Sequence, residues 1–209
     1  MVTVLTPPTG SVLRHLNGRI RHRQVLEAFE RVNRSAFLDS SLWPRATADS
    51  ALPIGFSQTT SQPLVIARMI EMMLRGGNAQ NILEVGAGCG YQTALLAEIC
   101  AHVTAVERIG TLARQTNRRL RGMGYNNVRV VHADGVVGCT QAAPYDGIIV
   151  CAEHKAIPSA LVEQLSADAL LVMPLEDSSV TRLVAINAES RIAARRDTVN
   201  FVPLLEGKC

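Results

Sequence analysis

The stretch NILEVGAGCGYQTALLAE, residues 81–98, leaves few folds open. It starts as a short apolar run, passes through Gly86, Gly88 and Gly90, and leaves with apolar residues at helical spacing. A strand that hands over to a helix through a G-x-G-x-G turn brings bare main chain to the carboxyl end of a sheet, in front of a helix N-terminus. The same alternation continues downstream. HVTAVE reads as strand, residues 111–121 as helix, NVRVVHAD and YDGIIVCA as strands, residues 159–165 as a short helix opened by Pro158, and ALLVMPL as strand. Short apolar runs separated by amphipathic helices are βαβ units. The expected fold class is therefore α/β, with a doubly wound, mostly parallel sheet. SVTRLVAIN and RDTVNFVPLL add strands with no strong helix between them, an antiparallel finish.

Upstream, residues 19–32 place Ile20, Val25, Leu26, Phe29 and Val32 on one helical face. Residues 33–63 have no clean period. They hold Pro44, Pro53 and Pro63 among apolar islands at Phe37, Leu38, Trp43, Leu52 and Ile54, which indicates an ordered cap rather than disorder. Ser61 and Pro63 mark the start of a helix, LVIARMIEMMLR, with Ser61 as a cap and Gly76-Gly77 as its end. The expected organisation is one domain over residues 1–209, with 1–62 as cap and substrate-side segment and 63–209 as the α/β core.

Composition excludes several function classes. A formal net charge of +3 is too small to argue for nucleic acid. Arg108, Arg114, Arg118, Arg119 and Arg121 form a basic stripe, but without interleaved aromatics it reads as a solvated face. The five cysteines are scattered, with no C-x-x-C pair, so reduced thiols are expected and no metal site. No signal-like start and no membrane-length apolar run is present, so the expected location is cytoplasmic, with no membrane partner. A monomer is the simpler expectation.

The acids at the strand ends specify the ligand. Glu107 closes the strand after the glycine turn, where a carboxylate suits the two hydroxyls of a ribose. Asp134 closes the next, where it could accept from the amine of an adenine. A dinucleotide site wants G-x-G-x-x-G, whereas Tyr91 and Gln92 follow Gly90 here. Glu84, beside the turn, would repel a pyrophosphate but suits the cationic end of S-adenosyl-L-methionine. The pattern favours a methyl donor.

E-V-G-A-G-C-G-Y-Q-T-A-L-L-A, V-E-R-I, A-D-G, Y-D-G-I-I-V and a late F-V-P-L, with A-L-P-I-G-F-S-Q-T-T-S-Q-P upstream, together resemble the protein-L-isoaspartate O-methyltransferases. The resemblance covers nearly the whole chain. It implies a class I, Rossmann-like methyltransferase with an N-terminal helical and loop cap. It also implies transfer of a methyl group from S-adenosyl-L-methionine to the α-carboxylate of L-isoaspartyl residues in damaged proteins or peptides. S-adenosyl-L-homocysteine is the product, and repair proceeds through a succinimide. It nominates Ser61 of T-T-S-Q-P as catalytic, and Thr59 and Thr60, with Gln58, as polar neighbours of donor and acceptor. Asp134 and Gly135 of A-D-G join Glu84, Gly86, Gly88, Gly90 and Glu107 on the donor side. A carboxylate acceptor is already ionised at neutral pH, which agrees with the lack of an evident His–carboxylate or Ser–His pairing. Departures from the family pattern gather on the acceptor side: Thr47, Ser57, Thr60, Cys151-Ala152-Glu153, His154-Lys155, Asp168-Ala169 and Pro174-Leu175-Glu176. Two rivals stay open: a related carboxyl O-methyltransferase acting on a biosynthetic peptide or small acid, and a donor-binding module without turnover.

Overall fold

The computed structural model describes residues 10–77 and 79–209. Helices α1 (Gly10–Leu16) and α2 (Arg23–Arg31) come first among the described residues. The helix expected over 19–32 is thus shorter, and one that periodicity did not reveal precedes it. The start of α2 is fixed from a distance. Glu71 Oε1, on α3 (Pro63–Met73), accepts from Arg21 N at 2.6 Å and His22 N at 3.0 Å. Two 3₁₀ turns follow, Arg34–Phe37 and Ser40–Arg45, each opened by a side chain that folds back on the main chain. Asn33 accepts from Ser35 N and Asp39 from Ser41 N.

The aperiodic cap then forms a hairpin, β1 (Leu52–Gly55) against β2 (Gln58–Thr60). Its loop is Phe56-Ser57, with φ of 53° and 56°. Two successive left-handed residues match the twist of a hairpin, but non-glycine residues hold that conformation at a cost. Ser57→Gly is therefore expected to stabilise the chain by about 0.5–1 kcal/mol, a rise of roughly 2–3 °C in Tm by calorimetry. An unchanged or lower Tm would mean that the turn is relaxed.

Helix α3 carries Pro63 in its first turn, as expected, but Ser61 is not its cap. Asp49 Oδ1 takes the Leu64 N–H at 2.9 Å instead, from a position 15 residues upstream.

Seven strands make the main sheet: β3 (Asn81–Val85), β4 (His102–Glu107), β5 (Val128–His132), β6 (Tyr145–Val150), β7 (Leu165–Asp177), β8 (Val180–Asn187) and β9 (Ile192–Thr198). Their spatial order is β5-β4-β3-β6-β7-β8-β9. The first five in this order run parallel, while β8 is antiparallel to both β7 and β9. The doubly wound sheet and its antiparallel finish are as the sequence predicts. Helices α4 (Tyr91–Ala97), α5 (Gly110–Gly122) and α6 (Ser159–Val162) complete the crossovers. Alternate side chains of β3 serve two cores. Ile82 packs with Met69, Ile70, Met73 and Leu95, whereas Leu83 and Val85 pack with Val106, Ile148 and Leu171. Burial on both faces is why this strand reads as a continuous apolar run.

Strand order reverses between β3 and β6, which is where open α/β sheets leave a crevice at the carboxyl ends of their strands. One expectation fails near it. The stretch 196–205 is strand only as far as Thr198. Val199 N still donates to Thr181 O at 2.9 Å, and the chain then leaves the sheet and pairs with Glu153: Glu153 N donates to Val202 O at 2.8 Å and Leu204 N to Glu153 O at 2.7 Å. Among the described residues, no helix is long and apolar enough to cross a membrane.

Candidate active site

A cleft with about 860 Å³ of empty space, partly open to solvent, occupies this crevice. The glycine turn forms its floor. Gly86, Gly88 and Gly90 have φ of 92°, 53° and 88°, so each needs the left-handed freedom of glycine. The turn is laced to its surroundings on every side. Gly86 N and Ala87 N donate to Val106 O at 2.8 and 3.1 Å. From α5, the Thr116 hydroxyl donates to Gly88 O at 2.6 Å and Arg119 Nη1 to Cys89 O at 2.7 Å. One arginine of the basic stripe thus fastens the turn, while Arg114, Arg118 and Arg121 are exposed.

Gly86 and Gly88 line the cleft, but Gly90 does not. A Cβ on Gly90 would come within 2.8 Å of Thr116 Cγ2, so a glycine here lets the start of α4 pack against α5. Glu107 lines the cleft and is buried, its Oε2 accepting from Gly88 N at 2.8 Å and its Oε1 from Ile109 N at 2.9 Å. It holds the first turn to the second. Glu84 lies deeper, fully shielded from solvent. Its partners are neutral: the Thr93 hydroxyl donates to Oε2 at 2.5 Å and the Cys151 thiol lies 3.9 Å from Oε1. Burial pushes the Glu84 carboxyl from 4.5 up to about 8, against the Thr93 hydrogen bond and reinforced by the charge on Glu107. Burial also raises the thiols of Cys89 and Cys151, which keeps both protonated and unreactive.

Thr59, Thr60 and Ser61 form the facing wall with Ile54 of the hairpin. Gly135 lines the cleft too, packed so closely that a Cβ would fall 2.5 Å from Val85 Cγ1. Asp134 stands apart from the lining. Its Oδ1 accepts from Val136 N at 2.9 Å and its Oδ2 from Gly207 N at 2.7 Å, so the carboxylate holds a turn and the chain's last stretch.

That last stretch is the element the sequence reading missed. Val202, Pro203, Leu204 and Leu205 form a further wall. Residues 206–209 then strap across to the turn between β4 and α5: Arg108 Nε and Nη2 donate to Gly207 O and Glu206 O, Cys209 N to Arg108 O, and Gly110 N to the Cys209 main-chain oxygen. Arg108, Ile109, Gln92 and Cys151 also line the cleft without having been singled out for it. The apparent strand F-V-P-L-L carried a signal only in its proline, which cannot donate to a ladder.

The cleft therefore joins an acid-flanked glycine turn to a wall of small hydroxyl side chains. Comparison with known proteins gives this geometry its lineage. The profile of the protein-L-isoaspartate(D-aspartate) O-methyltransferase family matches residues 11–209. The chain belongs to that family. Protein-L-isoaspartate O-methyltransferases from Chromobacterium violaceum and Aromatoleum aromaticum are 43% and 46% identical to it. The first alignment covers 93% of this chain and 90% of the relative, the second 90% and 87%. A Plasmodium falciparum protein assigned to protein-L-isoaspartate O-methyltransferases and crystallised with S-adenosyl-L-homocysteine superposes with a TM-score of 0.82 at 21% identity. That match covers 95% of this chain and 99% of the other, and it supports the fold of this family member.

Proposed function

We propose that the chain transfers a methyl group from S-adenosyl-L-methionine to the α-carboxylate of L-isoaspartyl residues in damaged proteins and peptides, initiating repair through a succinimide. Family membership over nearly the entire chain carries this reading. It acts in the cytoplasm, as a monomer, with residues 1–62 as the acceptor side and 63–209 as the donor side of one domain.

The residues present fit the donor. Glu84 is a buried carboxylate among neutral partners, a setting that gains from a cation brought beside it. Glu107 presents a carboxylate at the rim, where ribose hydroxyls find acceptors. Gly88 leaves room that a Cβ would take, 3.1 Å from Ile54 Cδ1. When bound, the donor supplies an activated methyl on its sulfonium. The chain's own work is to orient, to exclude water and to hold the acceptor carboxylate, which needs no base because it is already ionised. Ser61, fixed at the acceptor wall, is the residue assigned to hold that carboxylate in line.

A radiolabelled donor, offered with isoaspartyl and aspartyl versions of one peptide, tests the reading. Base-labile label on the isoaspartyl form alone is expected. Label on neither would transfer the assignment to a different acceptor. Ser61→Ala is expected to lower kcat by about tenfold with donor affinity kept within roughly twofold. Full activity would remove Ser61 from the reacting centre.

A further inference from the structure

Arg34 is the first residue of the turn Arg34–Phe37, and only 3% of its surface is exposed. Burying a guanidinium is costly and calls for a return. Its hydrogen-bond partners are three main-chain oxygens from separate places. Nη1 donates to Ala48 O at 3.1 Å, and Nη2 donates to Ser50 O at 2.9 Å and Ser61 O at 3.0 Å. The cation also lies over the Tyr91 ring, 5.7 Å from its centroid. Phe37 and Phe29 pack around that ring, with centroids at 5.5 and 6.1 Å.

These contacts converge on the cleft from two sides. Ser61 belongs to the hydroxyl wall, and Tyr91 to the floor, directly after the glycine turn. Ala48 and Ser50 flank Asp49, whose carboxylate starts α3 immediately after that wall. One planar fork therefore ties the wall to the floor, and Arg34 itself is not among the residues lining the cleft. The two sides do not depend on it equally. The floor keeps its bonds to Val106, Glu107, Thr116 and Arg119 without Arg34. The main-chain oxygen of Ser61 has Arg34 as its donor.

We propose that Arg34 is a positioning residue for methyl transfer, setting the Ser61 wall against the glycine floor so that the acceptor meets the donor in line. The inference rests on the acceptor reading above. Lysine cannot replace the fork, because a single ammonium has neither the planar spread nor the stacking face.

The test compares Arg34→Lys and Arg34→Ala with the unaltered chain. S-adenosyl-L-homocysteine affinity is measured by calorimetry, and kcat and KM with an isoaspartyl peptide. Arg34→Lys is expected to lose about tenfold in kcat and Arg34→Ala about a hundredfold, with donor affinity within roughly threefold. Guanidinium ion at about 20 mM is expected to restore part of kcat to Arg34→Ala and to leave the unaltered chain unchanged. A parallel fall of kcat and donor affinity without guanidinium rescue, or an unchanged kcat, would overturn the proposal. Should the unaltered chain methylate no isoaspartyl peptide, the acceptor reading fails by itself, and hydrogen exchange then decides for Arg34. Faster exchange at residues 59–64 with residues 86–91 unchanged sustains the positioning role, and uniform or absent change ends it.

Discussion

Glu107→Ala is expected to weaken S-adenosyl-L-homocysteine binding by about a hundredfold or more. The carboxylate already holds Gly88 N and Ile109 N, one with each oxygen. Its removal leaves two N–H groups short of an acceptor at a shielded rim, each worth roughly 1–3 kcal/mol, before any contact with the ligand is counted. On the donor reading proposed above the ribose hydroxyls would lose an acceptor as well, and the glycine turn loses its tether to β4. Glu107→Gln keeps the shape but turns an amide NH₂ toward one of the two N–H groups, so an intermediate loss of about tenfold is expected. Calorimetric titration of both variants, with the thermal midpoint recorded beside each affinity, separates lost binding from lost folding. Affinity equal to that of the unaltered chain would take Glu107 out of the site.

Which parts of this site were legible beforehand follows from how local their physics is. The turn from β3 to α4 announces itself because its glycines, its strand and its helix lie within one short window, and each is required by the geometry of its neighbours. Glu84 and Glu107 were readable for the same reason, as acids at strand ends. The hairpin was not. Its turn uses Phe56-Ser57 where a glycine or asparagine signal would normally stand, and Phe56 is 53% exposed, so neither turn chemistry nor burial marked it.

The remaining misses are long-range. Ser61 has the composition of a helix cap, yet Asp49 arrives from elsewhere and takes the position. Asp134 also holds Gly207 of the last stretch, a contact that its place at a strand end does not announce. The tail after Thr198 has strand-forming residues but finds its partners at Glu153 and Arg108 rather than in the sheet. Arg34 is the extreme case. An arginine in an aperiodic polar stretch reads as surface until the fold closes over it, because burial of a charge is decided by which carbonyls happen to converge.

Donor affinity is expected to rise with pH from roughly 6 to 8 and to level above that, through Glu84. With its carboxyl raised to about 8 by burial, the free chain carries Glu84 largely protonated at neutral pH. A cationic ligand end placed beside it favours the ionised form, so binding expels a proton. Calorimetry at about pH 7 in phosphate and in Tris should then give different apparent enthalpies, in proportion to the proton released. The same shift acts on stability with the opposite slope to a paired acid. Between 4.5 and about 8 the folded chain holds a proton that the unfolded chain has lost, so stability falls as pH climbs through that window and flattens above it. Glu84→Gln removes both effects at once. Its affinity for S-adenosyl-L-homocysteine should be weaker and its binding free of proton release. Its Tm should exceed that of the unaltered chain by roughly 10 °C near pH 8, with the gap closing toward pH 5. A gap that stays constant with pH, together with identical enthalpies in the two buffers, would mean that Glu84 is already ionised before the donor arrives. The neutral surroundings of Thr93 and Cys151 would then have to be stabilising a bare buried charge, which hydroxyl and thiol dipoles alone do poorly.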